Sequence, residues 1–142
     1  MATPHSGCAA VALDEHRIMV VGGDSGDSGD AGSLAKTEVL DIRKMAFAPG
    51  PSMGSSRGAC AAVPVDAQHV LVIGGQDTHC TSLDTTELLD LAKMEFAPGP
   101  TMQARRYACT AARADVAGEP RILVIGGGHG RSAMLTTEVL AV

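Results

Sequence analysis

Three basic side chains stand at equivalent places in the sequence, and their chemistry suits the binding of anions. His5, Arg57 and Arg106 each lie three residues before a cysteine that small residues follow. Guanidinium groups bind carboxylates and phosphates through paired hydrogen bonds. The arginines would therefore suit a surface that faces a ligand or a partner. They would equally suit structural ion pairs with three repeated glutamates, which are Glu38, Glu87 and Glu138.

A loop rich in Gly, Ser and Asp offers a second group of polar side chains. Between Gly23 and Gly32, aspartates recur every third residue as Asp24, Asp27 and Asp30. Carboxylate oxygens are the ligands that Ca²⁺ prefers, but the loop lacks the alternating ligands and the closing glutamate of a calcium loop. We therefore interpret the segment as a flexible acidic loop and expect no metal site there. The sequence does not define its role.

The thiols and imidazoles do not form a pattern typical of a metal site. Cys8, Cys60 and Cys109 occupy equivalent positions, which indicates a small buried residue rather than a set of ligands. His79 and Cys80 are adjacent but have no second pair nearby, so a zinc site is not expected. The remaining histidines are spread through predicted turns, and His129 is a candidate surface contact. We expect no cofactor.

Composition and charge exclude several classes of protein. The chain has 142 residues, which suits one domain, and 45% of them are hydrophobic, which suits a globular protein. A net charge of −5 argues against a nucleic-acid binder that acts through a basic field. No apolar run approaches the roughly 18 residues that span a membrane. The first residues do not resemble a secretory signal, so we expect a cytoplasmic protein with free thiols.

Matched blocks of sequence recur in a fixed order along the chain. An apolar run ends in a glycine pair three times, at Gly22-Gly23, Gly74-Gly75 and Gly126-Gly127, and the step between pairs is 52 residues both times. A Thr-Glu block follows each pair, and two copies continue through Phe47 or Phe96 into Pro-Gly-Pro. The sequence therefore contains two full repeats and a third that stops early.

Each repeat reads as four short strands separated by turns. The run from Val70 to Ile73 is continuously apolar and ends at Gly-Gly, as expected for a strand buried on both faces. The flanking segments are short, and Pro98 ends the last of them. No segment shows a sustained helical period. Four strands in a repeat of about 40–50 residues are typical of a propeller blade, which buries its faces against its neighbours.

These residues resemble the kelch repeat. Its main signature is Gly-Gly after an aliphatic strand, and its pattern of an aromatic residue six positions before a methionine recurs as Phe47 with Met53 and Phe96 with Met102. The resemblance implies an all-β kelch-type β-propeller fragment of three four-stranded antiparallel blades, the last without its outer strand. The blades would span about residues 5–53, 57–102 and 106–142 of a single domain. The two phenylalanines would fill the gaps between sheets.

The resemblance also implies a function. The innermost strand of a kelch blade begins near the mouth of the central channel, where adaptor-type members often contact partners. This places His5, Arg57 and Arg106 as candidate contacts in a protein-binding scaffold, with the partner unidentified, and His129 in its turn is a further candidate contact. The alternative is a propeller enzyme that acts on sugars or resembles a copper oxidase. We disfavour it because a copper site needs two Tyr, and Tyr107 is the sole one. We therefore expect no enzymatic activity and assign no catalytic residues.

Three blades do not close a ring, because kelch propellers typically have five to seven. We expect either a longer parent chain with further blades or two chains that together close a ring of six. An open blade edge also carries a risk of aggregation.

Overall fold

The computed structural model describes residues 1–26 and 32–142, and it is built of strands in antiparallel sheets. Within those residues, no helix is long and apolar enough to cross a membrane. The all-β prediction of kelch-type blades is confirmed. Of the acidic loop, Asp27 and Asp30 lie outside the described residues.

Two four-stranded sheets follow one another along the chain, each with its strands in sequence order. Blade 1 consists of β1 (Ala9–Ala12), β2 (Arg17–Val21), β3 (Thr37–Asp41) and β4 (Ala46–Pro49). Blade 2 consists of β5 (Ala61–Pro64), β6 (His69–Ile73), β7 (Thr86–Asp90) and β8 (Glu95–Pro98). Every neighbouring pair in these two sheets is antiparallel.

The third sheet has three strands and carries a small hairpin. Blade 3 consists of β9 (Thr110–Val116), β10 (Glu119–Ile125) and β13 (Thr137–Leu140). The hairpin pairs β11 (Gly128–His129) with β12 (Ser132–Ala133). It lies in the connection from β10 to β13, the place where blades 1 and 2 have a loop. A three-stranded third blade agrees with the predicted lack of an outer strand.

Successive side chains of a central strand belong to two separate hydrophobic cores, one on each face of the blade. Along β6, Val70 and Val72 belong to the core between blades 1 and 2, whereas Leu71 and Ile73 belong to the core between blades 2 and 3. Successive residues of a strand point to opposite faces. A continuous apolar run is therefore what a sheet covered on both faces requires. This is why β6 is apolar at four successive positions.

The outer strands end at the repeated Pro-Gly-Pro segments. Strand β8 closes with Pro98, which sits on an edge strand where its missing N–H leaves no ladder bond unmade. Gly99 then donates its N–H to Thr86 O (3.0 Å), and Thr86 Oγ1 donates to Pro100 O (2.7 Å). Met94 lies just before β8 with φ +54° and takes part in the turn that precedes this strand.

The innermost strands β1, β5 and β9 lie side by side. The three blades therefore fan out from a common axis, and the described sheets form an open arc rather than a closed ring. One flank of blade 1 and one flank of blade 3 have no neighbouring blade among the described residues. We call these the blade 1 flank and the blade 3 flank.

The two phenylalanines differ from the expected gap fillers. Phe96 packs against the core between blades 1 and 2 but stays half-buried. Phe47 holds the same place one blade earlier, on the blade 1 flank, and belongs to neither core cluster. Within the described residues no sheet covers Phe47, so that it fills a gap between sheets stays a prediction.

Phe96→Ala is expected to lower the free energy of unfolding by about 1–2 kcal/mol, less than the roughly 3–5 kcal/mol of a fully buried Phe. Part of the ring is already in water, so its truncation returns less apolar surface to solvent. Urea denaturation followed by circular dichroism measures the change. Phe47→Ala should cost less still, and a larger loss at Phe47 than at Phe96 would contradict the assigned packing.

Candidate functional site

Arg57 closes the base of the loop that joins β6 to β7. Its Nη1 donates to Gly74 O (2.9 Å) at the start of that loop and to Thr85 O (2.9 Å) at its end. Its Nη2 donates to Thr85 Oγ1 (3.0 Å), and its Nε donates to Glu87 Oε1 (3.1 Å). The residue is 0% exposed. Its guanidinium is therefore used inside blade 2 and presents no surface to a partner.

Arg106 repeats this arrangement one blade later. It donates to Gly126 O (2.8 Å) and Thr136 O (2.9 Å), and its Nε lies 3.1 Å from Glu138 Oε1. The residue is 1% exposed. Of the two interpretations that the sequence left open, the contacts of Arg57 and Arg106 are those of the structural ion pair. The physical reason is that each arginine has five N–H groups, enough to satisfy both loop carbonyls and the glutamate at once.

The glutamates of these pairs also hold the segment that leads into each innermost strand. Glu87 Oε2 accepts the N–H of Gly54 (2.6 Å), and its Oε1 accepts the N–H of Ser55 (3.1 Å). Glu138 does the same for Gln103 and Ala104. Arginine and glutamate together therefore connect three separated pieces of a blade: the segment that enters the innermost strand, the end of the second strand and the start of the third. We call this arrangement the Arg–Glu clamp.

His5 occupies the clamp position in blade 1 with shorter reach. Its side chain is fully buried, and Nδ1 donates to Gly22 O, since a carbonyl can only accept (2.6 Å). Its Nε2 lies 3.8 Å from Glu38 Oε1 and has no hydrogen-bond partner among the described residues. Like the two arginines, His5 faces inward, so blade 1 has a weaker version of the clamp.

Beside the clamp, the glycine pairs form the contact between neighbouring blades. At Gly22 an added Cβ would lie 2.2 Å from Arg57 O, and at Gly74 it would lie 2.4 Å from Arg106 O. Both glycines have φ +59°, a left-handed conformation that side chains rarely adopt. The carbonyl of each clamp arginine thus packs against the preceding blade while its guanidinium holds its own blade.

Exposed side chains collect at the loop end of the arc, which we define as residues 22–26, 32–36, 74–85 and 126–136 with the segments that enter β1, β5 and β9. Backbone hydrogen bonds tie these loops to the entering segments, as between Gly58 and Gln76 (2.8 Å). In the second loop, the exposed residues include Thr78, His79 and Cys80. The loop end is therefore a solvent-facing surface on a base that the clamps hold.

The hairpin β11–β12 presents His129 at this end. His129 is exposed, whereas Gly128 beside it is buried. Gly128 must be small because a Cβ there would lie 2.9 Å from the ring of Tyr107. Tyr107 also donates its hydroxyl to Gly130 O (3.1 Å), so it supports the hairpin from below. Of the four candidate contacts predicted from the sequence, His129 is the one that reaches solvent.

Two features of the loop end gave little signal in the sequence. The support that Tyr107 gives to the hairpin depends on a loop conformation that one sequence does not show. Ala59 and Ala108 both have φ +50°, in the left-handed region where glycine would be expected. Their equivalence to Gly7 (φ +61°) is the signal that reveals them, once the repeats are aligned.

The acidic loop and the metal candidates give no assembled site in the described residues. Asp24 accepts a hydrogen bond from Ser33 Oγ (3.0 Å), which connects the two ends of the loop. Within residues 1–26 and 32–142, no three His, Cys, Asp or Glu side chains converge as metal ligands would. His79 and Cys80 lie together in an exposed loop.

The four cysteines are free and fall into two classes. Cys8 and Cys80 are exposed, while Cys60 and Cys109 are buried at the entries of β5 and β9. Burial raises the pKa of the Cys60 thiol to about 11, and it also raises the pKa of Cys109. The thiolate is the reactive form of cysteine. Burial therefore lowers the reactivity of Cys60 and Cys109 in two ways: it keeps reagents away from the thiols, and it keeps the thiols protonated.

At pH 8, Ellman's reagent is expected to titrate two thiols quickly and the other two only after denaturation. Cys8→Ser and Cys80→Ser should each remove one fast equivalent, whereas Cys60→Ser should remove a slow one. A third fast thiol in the folded protein would contradict this assignment.

The stability of the protein should also depend on the protonation of Cys60. Since the folded state holds the Cys60 proton more tightly than the unfolded chain, the free energy of unfolding should decrease as the pH rises above about 9.

Comparison with known proteins agrees with the repeat. Residues 57–103 match the family model described as the Kelch motif, and a search of curated proteins gave no match. The matched segment begins at the clamp residue Arg57 and contains all four strands of blade 2. Blades 1 and 3 repeat its glycine pair, its clamp position and its strand order. Residues 57–103 therefore carry a Kelch motif, and blades 1 and 3 resemble this segment.

Proposed function

We propose that this chain is a protein-interaction module that binds a partner protein through its loop end. The observation that carries the proposal is the combination of exposed loops with clamped bases. The loops of blades 2 and 3 start and finish at carbonyls that one buried arginine holds together. Binding residues are commonly found on loops that a rigid scaffold positions.

The loops of blades 2 and 3 share their clamped bases and differ in their exposed residues. The second loop presents His79 and Thr78, and the third presents His129 and Arg131 on a hairpin. A fixed base lowers the entropy that a loop loses on binding, which favours affinity. In this proposal His5, Arg57 and Arg106 are positioning residues, and His129 with its neighbours makes the contact. Four free thiols suit the reducing cytoplasm, where we place the interaction.

Charge reversal at the loop end is the test. The immobilised chain is used to retain proteins from a cytoplasmic extract, in parallel with Arg131→Glu. The matched control is Lys93→Glu, since Lys93 lies exposed in the β7–β8 turn at the opposite end of blade 2. We expect the wild type and Lys93→Glu to retain a common protein, and Arg131→Glu to bind it at least about tenfold more weakly, as loss of a contact of about 1.4 kcal/mol would give.

Thermal unfolding of all three proteins shows whether the variants keep the fold. Both substituted side chains are exposed, so their melting temperatures should stay close to that of the wild type. Equal retention by Arg131→Glu and the wild type, or loss with Lys93→Glu instead, would overturn the assignment of the loop end.

A further inference from the structure

Four backbone hydrogen bonds join each blade to the next, and the same four recur in both joints. Between blades 1 and 2 they run from Met53 N to Ala35 O (2.8 Å), Arg57 N to Leu34 O (3.0 Å), Gly23 N to Arg57 O (2.9 Å) and Ala59 N to Gly7 O (2.9 Å). Between blades 2 and 3 they run from Met102 N to Asp84 O (2.8 Å), Arg106 N to Leu83 O (3.0 Å), Gly75 N to Arg106 O (2.8 Å) and Ala108 N to Ala59 O (2.7 Å).

The blade 3 flank presents the same four groups with no partner among residues 1–26 and 32–142. By their place in the repeat, these groups are Leu135 O, Met134 O, Gly127 N–H and Ala108 O. Gly126 and Gly127 have φ +64° and +90°, close to the values of Gly22 and Gly23. At Gly126, however, the nearest atom to an added Cβ is Met134 O at 3.7 Å. The space that receives the arginine carbonyl at Gly22 and Gly74 is therefore present beside Gly126 and Gly127 but empty. We call this space the glycine cradle.

Apolar side chains surround these groups on the blade 3 flank. Ile125 is 43% exposed, Val139 is 56% exposed and Leu135 is 102% exposed. The corresponding position to Ile125 in blade 2 is Ile73, which is fully buried by blade 3. Large exposed apolar groups that cluster on one face indicate an interaction surface.

The blade 1 flank presents the complementary groups. Met1, His5 and Gly7 stand where Met53, Arg57 and Ala59 stand in blade 2, because Ala2 and Thr3 donate to Glu38 as Gly54 and Ser55 donate to Glu87. No described residue pairs with the N–H groups of His5 and Gly7 or with His5 O. Met1 is 61% exposed, although the equivalent Met53 is buried.

We propose that a second copy of this chain docks its blade 1 flank on the blade 3 flank, so that two chains close a six-bladed ring. Met1 of the second copy would pack beside Gly126, and its His5 carbonyl would enter the glycine cradle. The second copy is the occupant because the chain carries both halves of the joint in the correct register. With two chains the arrangement has a twofold axis and forms two identical joints, which leaves neither flank open.

Light scattering on the purified 142-residue chain tests the proposal directly. The expected mass is twice that of the 14.4 kDa chain. A monomer at all concentrations would overturn the proposal, and a longer parent chain or another partner would then have to cover the flanks. Masses that grow with concentration beyond two chains would also overturn it, because they indicate open head-to-tail association.

Gly126→Ala distinguishes this joint from unspecific association. In the two joints within the chain, a Cβ at the equivalent glycine would lie 2.2 or 2.4 Å from the arginine carbonyl, so an alanine should block docking. Gly118→Ala is the matched control, since Gly118 also has positive φ (+83°) but lies in the β9–β10 turn with no atom near an added Cβ. We expect Gly126→Ala to halve the mass and Gly118→Ala to leave it unchanged.

Val139→Asp provides a second variant on the apolar part of the flank. Its side chain is exposed in the single chain, so circular dichroism should show a retained fold while the mass halves. A folded Val139→Asp or Gly126→Ala variant that keeps the double mass would show that association does not use the blade 3 flank.

Discussion

Arg57→Met is expected to lower the free energy of unfolding by about 3–5 kcal/mol, as removal of one partner from a buried ion pair does. Methionine fills a similar volume but donates nothing. Glu87 would remain as a buried charge, the Gly74 carbonyl would lose its donor, and the Thr85 carbonyl would keep only the N–H of Gly74. The loss would come from these unpaired groups rather than from a cavity.

Urea denaturation measures this change, and Arg105→Met is the control. Arg105 is also an arginine, and it directly precedes the clamp residue Arg106. Its side chain, however, is about half exposed, and its ion pair with Asp84 is long at 3.7 Å. Exposed pairs contribute roughly 0–1 kcal/mol, so the control should change little. Equal effects of the two variants would contradict the clamp.

Removing both partners should not restore stability at this site. In Arg57→Met combined with Glu87→Met, the buried charge is gone, but Gly54 and Ser55 lose the acceptor of their N–H groups. The clamp thus differs from a simple buried pair, which an apolar pair can often replace. Full recovery in the double variant would show that Glu87 acts on Arg57 alone.

The repeat explains how much of this fold could be predicted from the sequence. The glycine pairs and the apolar run from Val70 to Ile73 fixed the strands, because a strand covered on both faces needs apolar residues at consecutive positions. The glutamates recur with the clamp positions, so the sequence predicts the Arg57–Glu87 pair as one of two alternatives. Which alternative holds depends on burial, and burial by neighbouring blades is a property of the arc rather than of any local pattern.

Other features had no local signal. Ala59 and Ala108 adopt positive φ because their N–H groups donate to the preceding blade, and these bonds compensate a conformation that alanine disfavours. Phe47 differs from Phe96 in its packing, because their equivalence holds within a blade but not for the blade beside it. Tyr107 supports a hairpin that the other two repeats lack.

The glycine pairs provide the second large effect, and Gly74→Ala tests it. We expect a loss of roughly 2–5 kcal/mol, of which about 1–2 kcal/mol is the left-handed conformation and about 1–3 kcal/mol a lost buried hydrogen bond. The added Cβ would lie 2.4 Å from Arg106 O, which is backbone and cannot rotate away. Blade 3 would have to move, and the bond from Gly75 N–H to that carbonyl would break.

Gly130→Ala separates the two contributions to the Gly74 effect. Gly130 has φ +60°, nearly the value of Gly74 (+59°), but no atom lies within 4 Å of an added Cβ. It should therefore show the conformational cost alone, about 1–2 kcal/mol. Denaturation of the two variants under the same conditions gives the difference, which measures how tightly blades 2 and 3 are joined. If the two variants lose equal stability, the glycine pair is required for its own turn and not for the approach of the next blade.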